Sequence, residues 1–295
     1  MHIVLGGASG LIGAALAKSL RRDGHEVTSL VRRVPRTVEE KQWGPQDGKL
    51  DPAALAGADA AVCLSGAGIA DRRWTESYKR TLLASRSTTV GTIARTIASI
   101  GSPPVFVCAS AVGYYGDTGE REVDESAPRG DGFLAELCEQ WEQAAQPAVE
   151  AGVRVAHLRT GIVLTKQGGF LKRLAPIVRL GLGGRLGSGK QFLPWISLAD
   201  EVAAIRFVMD HDLHGAVNVT GPEPTRNGEL ISKLADLMHR PAVIPVPAFA
   251  IKVALGELAG SVLGGQRAVP TALQGAGFLH QHPDVESALA WALAN

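Results

Sequence analysis

The chain has 295 residues, 45% hydrophobic and 20% charged, enough to bury a large core in one big or two modest domains. Thirty basic residues against 29 acidic ones leave a formal charge of +1, which argues against a nucleic-acid or anionic-membrane partner. Three cysteines (Cys63, Cys108 and Cys138), odd in number and without metal-ligand spacing, suit a reducing cytoplasm.

Ile3 to Leu5 is a short apolar run that reads as a buried parallel strand. It stops at Gly6-Gly7-Ala8-Ser9-Gly10-Leu11-Ile12-Gly13, after which Leu16 and Leu20 repeat at helical spacing. Gly7, Gly10 and Gly13 therefore fall on a strand-to-helix turn. Without side chains there, the backbone turns sharply and approaches a pyrophosphate closely. The free N–H groups of the helix's first turn, and its dipole, favour the phosphates' negative charge. This turn, with Ser9, Leu11 and Ile12, is the candidate cofactor cradle. A signal peptide is the poorer reading, because the positively charged opening is missing.

The second strand is expected at Glu26 to Val31. Where an NAD-preferring fold carries an acidic ribose reader, this sequence has Arg32 and Arg33, so the expected cofactor is NADP, with Arg32 its first contact and Arg33 its second. Trp43 is expected to lie in a short third strand, and Ala60 to Leu64 forms a fourth. Ligands of doubly wound sheets bind beyond the strands' carboxyl ends, which puts Leu64, Ser65 and Gly66 beside the adenosine and its ribose. A helix follows from about Thr75 to Ile100. Arg86, one turn after Leu82, reads either as a surface arginine or as one looking back at the cofactor.

Gly7-x-x-Gly10-x-x-Gly13 resembles the fingerprint of the extended short-chain dehydrogenase/reductase superfamily. Leu64-Ser65-Gly66, Arg73-Trp74 and Ser85-Arg86 narrow the resemblance to an atypical epimerase-family branch. It implies that Leu64, Ser65, Thr81 and Arg86 line an NADP site.

Val105 to Cys108 is the fifth strand, ending in Ala109-Ser110-Ala111-Val112-Gly113-Tyr114-Tyr115-Gly116. The resemblance implies a hydroxyl beside the nicotinamide here, and Ser110 is the nearest match. Ordinary members of the superfamily pair a catalytic tyrosine with a lysine four residues on. Here the residues four after Tyr78, Tyr114 and Tyr115 are Leu82, Thr118 and Gly119, so that pair is absent. The candidates for a proton donor are Ser110, then Tyr114, then Tyr115, the tyrosines being placed at the cleft mouth. A phenol with a pKa near ~10 is protonated at neutral pH, which favours carbonyl reduction over alcohol oxidation.

Phe133 to Glu150 reads as one amphipathic helix, and Arg154 to Leu158 as the sixth strand. The segment after it is expected to wall the nicotinamide, with a cofactor contact implied near Val163; Lys166 reads as a solvated lysine. Phe170 to Leu180 is a short helix, and Gly181 to Gly189 a glycine-rich hairpin over the pocket. Gln191 to Ile196 is family-like, although by the resemblance a histidine is usual where Ser197 stands. Asp200 is expected to cap a helix running to about Asp210, and Val217 to Thr220 to return to the sheet. Val243 to Leu263 is apolar, but Pro245, Pro247, Lys252 and Glu257 interrupt it, so no membrane span is expected. Gly264 to Pro270, Ala276-Gly277-Phe278 and a closing helix Val285 to Leu293 resemble the branch's C-terminal domain of unknown function. His280 and His282 lack a visible third ligand, and no metal site is expected.

The expected fold is α/β: a Rossmann-type doubly wound parallel sheet from residues 1–165 with a return strand near 217–220, and a smaller C-terminal substrate lobe from 166–198 and 222–295. The expected function is an NADP-dependent oxidoreductase or epimerase acting on a small molecule. The rival is an NADPH-binding sensor without turnover. A homodimer through helices such as Thr75–Ile100 and Phe133–Glu150 is the partner that the resemblance implies, and a cytoplasmic location the one expected.

Overall fold

A computed structural model describes residues 1–100 and 105–295. Seven strands form the central sheet: β1 (His2–Gly6), β2 (Glu26–Val31), β3 (Glu40–Gln42), β4 (Ala60–Cys63), β5 (Val105–Ala111), β6 (Val155–Thr160) and β7 (Gly215–Val219). Their spatial order is β7-β6-β5-β4-β1-β2-β3, and every neighbouring pair is parallel. A parallel sheet must be covered on both faces, and the near-continuous apolar runs of β1, β4 and β5 answer that demand.

Side chains alternate between two cores, as the period of a strand requires. Ile3, Leu5, Val62, Val107 and Leu158 pack under helices α1 (Leu11–Arg22) and α5 (Leu198–Asp210). Val4, Ala61, Cys63, Phe106 and Cys108 pack under α2 (Glu76–Ser99) and α3 (Phe133–Gln143). Each Val, Leu, Ile or Phe among them contributes about 1.5–3 kcal/mol when fully buried. All three cysteines are buried and unbridged.

A third core joins α4 (Gly169–Arg179), α6 (Asn227–Leu237) and α7 (Val285–Ala294) through Leu171, Leu234 and Leu289. The tail does not stand apart from the rest. Its Arg267–Ala268 strand pairs with Glu122–Val123, and Leu273 and Phe278 pack under the α1/α5 face of the main sheet.

Three local expectations need correction. The stretch 133–150 is two helices, Phe133–Gln143 and Gln146–Glu150. Pro147 lacks a donor and its ring collides with the carbonyl four residues back, so the first helix ends at Gln143. Gly181 to Gly189 is not a hairpin. Glycine weakens a strand, having more chain entropy to lose and no side chain to pack, and Leu186 instead bridges Val246 and donates its N–H to Asn227 Oδ1 at 2.8 Å. The cap of α5 is Ser197, whose hydroxyl accepts from Asp200 N–H at 3.0 Å. Asp200 faces the core and holds the tail, accepting from the backbone N–H groups of Gln281 at 2.7 Å and His282 at 3.1 Å.

Among the described residues, no helix is long and apolar enough to cross a membrane; the 243–263 stretch contains the separate helices Ala248–Leu255 and Ala259–Leu263.

Candidate functional site: an open cradle and a closed network

The turn between β1 and α1 is shaped by what its glycines omit. Gly7 has φ +87°, and a Cβ there would lie 2.8 Å from the backbone carbon of Leu64. A Cβ on Gly13 would collide with the Gly7 carbonyl. These two positions bring α1 hard against β1 and carry the chain past Leu64-Ser65 without a side chain between them. Gly10 caps α1 with no side-chain acceptor, so the helix's first N–H groups stay available.

Arg86 stands across from this turn. It is 7% exposed, its guanidinium packs against Gly66 and over the Trp141 ring at 4.9 Å, and Nη1 donates to Leu82 O at 3.0 Å. Its Nε is buried without a partner, and no carboxylate among the described residues pairs with it. Burial consequently pushes its pKa below the usual arginine value. A buried cation lacking its anion is costly.

Arg32 is exposed after β2 with a side chain free of partners among the described residues. Arg33 spends its guanidinium on Glu40 at 2.6 and 2.8 Å, and Glu40 is held down at about 2 by that contact and by Arg36 N–H. Thr81 is exposed, with its hydroxyl on Ser77 O at 3.1 Å; five residues from Arg86, it is turned about 140° away around α2. Leu64, Ser65 and Gly66 line the cradle's far side. Val163 is half-buried in a short strand paired with Ile196, and beyond it a Cβ on Gly168 would lie 3.1 Å from the Leu11 side chain. Lys166 is not merely solvated, since it caps the last helix through the carbonyls of Leu293 at 3.2 Å and Ala294 at 3.0 Å.

The end of β5 is arranged in the opposite way. Ser110 is buried and donates to Glu142 Oε1 at 2.6 Å. Both oxygens of Glu142 also accept from Arg159, Nε and Nη2 each at 2.9 Å. Arg159 Nη1 donates to the Tyr115 hydroxyl at 3.0 Å, and that hydroxyl donates to Asn218 Oδ1 at 2.7 Å. Asn218 passes the connection to the tail, its Nδ2 on Val269 O at 2.9 Å, while Glu125 accepts from the N–H groups of Asn218 and Ala272. Burial pushes the Tyr115 phenol up to about 12 against the pull of Arg159. Burial also works against the Arg159 charge, but Glu142 overcomes it and raises the arginine further.

Tyr115, placed at the cleft mouth from sequence, is therefore a core residue 1% exposed, its hydroxyl used twice. The turn 112–115 tucks it beneath β6 and β7. Tyr114 differs. It is half-buried, its ring faces the Arg159 guanidinium at 3.4 Å, and its hydroxyl has no partner among the described residues.

Glu142 is the residue that sequence reasoning missed. The available signal was its spacing, four after Cys138 and seven after Ala135, which puts a carboxylate on the buried seam of α3. Glu201 was missed as well, although Leu198 three before it and Ile205 four after it put it on the buried side of α5. It lies fully buried against the end of β6, accepts from Thr160 Oγ1 at 3.0 Å, and leaves Oε2 unpartnered. Burial raises it to about 8.

Beyond the β4 and β5 loops lies a cavity of about 260 Å³, lined by Trp74, Phe133, Gly116, Gln266, Asp117 and Asp131. Trp74 and Phe133 meet edge to face at 5.1 Å. Tail residues close this cavity: Gln266 donates to Gly116 O at 2.7 Å, and Gly265 N–H to Asp117 at 3.2 Å. His280 and His282 diverge, one on Thr220 O and the other on Ser197 and Asp200.

Residues 3–221 match the family described as NAD dependent epimerase/dehydratase, and residues 246–292 match a domain of unknown function, DUF1731. The chain is 45% identical over 292 residues to Epimerase family protein Mb2239 of Mycobacterium bovis, covering 98% of this chain and 97% of that one. It is 34% identical to the human Epimerase family protein SDR39U1, with 98% of each covered. A crystal structure of human SDR39U1 (isoform 2) with NADPH superposes with a TM-score of 0.91 at 32% identity, covering 100% of both chains.

Proposed function

The chain belongs to the NAD dependent epimerase/dehydratase family, and from that premise we propose that it binds NADPH and reduces a carbonyl group on a small molecule. The observation that carries the cofactor reading is Arg86, a buried guanidinium with no carboxylate, aimed at the strand-end segment that flanks the glycine cradle. The cradle fits the group as well, since it has room for a phosphate only where side chains are absent. In this reading the N–H groups of the first turn of α1 hold the pyrophosphate, Arg32 meets the 2′-phosphate, and Arg86 and Leu64 to Gly66 hold the ribose region. Val163 borders the nicotinamide. NADPH, when bound, supplies the hydride.

The chain's own part in the chemistry is to hold the substrate and provide a proton. Ser110 and Tyr115 have their hydroxyls bound elsewhere, which leaves Tyr114 as the hydroxyl free to donate among the three sequence candidates. A donor must come within about 2.6–3.2 Å of the developing alkoxide. The cavity beside Trp74 and Phe133 is the space for the substrate, and its lower-end volume suits a compact molecule.

The closed network favours a second reading, an NADPH sensor without turnover, because two of the three candidate donors are locked into the core. Calorimetry with NADPH and NADH on wild type and Arg86→Ala tests the binding. A panel of carbonyl compounds with NADPH, repeated with Tyr114→Phe, tests the chemistry. Equal affinity for both cofactors would remove the NADP assignment, a hit that survives Tyr114→Phe would remove the donor, and no hit across the panel selects the sensor.

A further inference from the structure

The small lobe carries a surface that the cofactor reading leaves unused. No aspartate or glutamate occurs between Glu150 and Asp200, nor between Asp236 and Glu257. The fold sets parts of these two acid-free stretches side by side. Leu186 bridges Val246, Val246 N–H donates to Arg185 O at 2.9 Å, and a Cβ on Gly181 would touch the Pro241 ring at 3.6 Å. Large apolar side chains stand out from both: Leu180 is 75% exposed, Val243 76% and Phe249 71%. Cations occur on the same two stretches. Lys172, Arg179, Arg185, Arg240 and Lys252 are exposed, and among the described residues none pairs with a carboxylate; the ion pairs nearby use Arg173 and Lys233 instead.

We propose that this face docks on an anionic lipid bilayer, with Leu180, Val243 and Phe249 entering the headgroup boundary and the cations meeting the lipid charge. Apolar side chains on an otherwise basic face are the pattern of interfacial attachment, and an anionic leaflet attracts basic residues held near it. The charge pattern speaks against a second copy as the occupant. A two-fold interface sets a patch against itself, which here opposes cations to cations, since neither stretch carries a carboxylate of its own. The chain's formal charge of +1 hides the patch, because acidic residues elsewhere cancel it.

Sedimentation with vesicles tests this, using phosphatidylcholine alone and phosphatidylcholine mixed with phosphatidylserine. The protein pellets with the mixed vesicles at low salt, stays in solution with phosphatidylcholine, and is released by high salt. Each basic side chain contributes on the order of a fivefold change in partition, so Arg179→Glu and Lys252→Glu each weaken pelleting by at least that factor. Phe249→Ser weakens it as well. NADPH binding, measured on every variant, stays at the wild-type value and shows that the fold is intact. No pelleting with phosphatidylserine, equal pelleting with both vesicles, or pelleting indifferent to these substitutions overturns the proposal. So does a self-association in analytical ultracentrifugation that Phe249→Ser abolishes, because it assigns the face to a second copy.

Discussion

Two stretches along the carboxyl ends of the same sheet's strands treat their polar groups in opposite ways. At the ends of β1 and β4 the donors are left open: the first turn of α1 has no side-chain cap and Arg86 Nε has no acceptor. At the ends of β5 and β6 the groups close on one another, through Ser110, Glu142, Arg159, Tyr115 and Asn218. Open donors cost stability and gain it back when a ligand supplies the missing partner. Closed networks rigidify the fold and are costly to interrupt. The difference teaches that one end was built to receive something and the other to hold the fold and its tail together.

The hardest blow to the closed end is Glu142→Ala, which leaves Arg159 buried and unpaired. Breaking a buried pair in this way costs about 3–5 kcal/mol, to be read from urea unfolding. Ser110→Ala, which removes one neutral donor, should cost far less. A comparable loss in both variants would mean that the charge pair is not what holds this end.

Glu201 sits at the same end yet keeps one oxygen unpartnered, so it sharpens the contrast. Its folded pKa of about 8 lies above that of an unfolded glutamate. Between the two values the folded state holds a proton that the unfolded state has released, so stability falls as pH rises and levels off above about 8. The slope is about 1.4 kcal/mol per pH unit, or about 3 kcal/mol between pH 5 and pH 7. Glu201→Gln removes this component, and the wild-type minus variant difference in unfolding free energy across that range measures it. A flat difference would show that the carboxyl is ionised in the fold.

Arg86→Ala tests the open end. Cofactor affinity should fall by roughly 1.5–3 kcal/mol, the worth of a charge-assisted hydrogen bond, while thermal stability without cofactor holds or rises, because an unpaired buried cation is gone. A large loss of stability together with unchanged affinity would make Arg86 a structural residue. The smallest effect is expected at Arg32. Arg32→Ala should cut the preference for NADPH over NADH about tenfold, near 1.4 kcal/mol, whereas Arg33→Ala should act mainly through its Glu40 pair. The reverse ranking would exchange their roles.

Local sequence determined the parts of this protein that depend on neighbours in the chain. The glycine spacing fixed the β1–α1 turn, because a missing Cβ acts within one strand-helix unit, and apolar runs marked β1, β4 and β5, because both faces of a parallel strand are covered. Pro147 even carried the break in the 133–150 helix, through a clash only four residues long. Tertiary structure alone decided the fate of the polar groups. Ser110 meets Glu142 32 residues away and Tyr115 meets Asn218 103 residues away, and no periodicity records which partner a hydroxyl will find once strands and helices are stacked. The same holds for Asp200, which a local reading makes a cap and the packed tail makes an anchor through Gln281 and His282. It holds too for Arg86, since a helix position tells which way a side chain points but not whether an anion waits there. Burial is a property of the assembled layers, and burial is what turns these hydroxyls and charges into either a closed network or an open site.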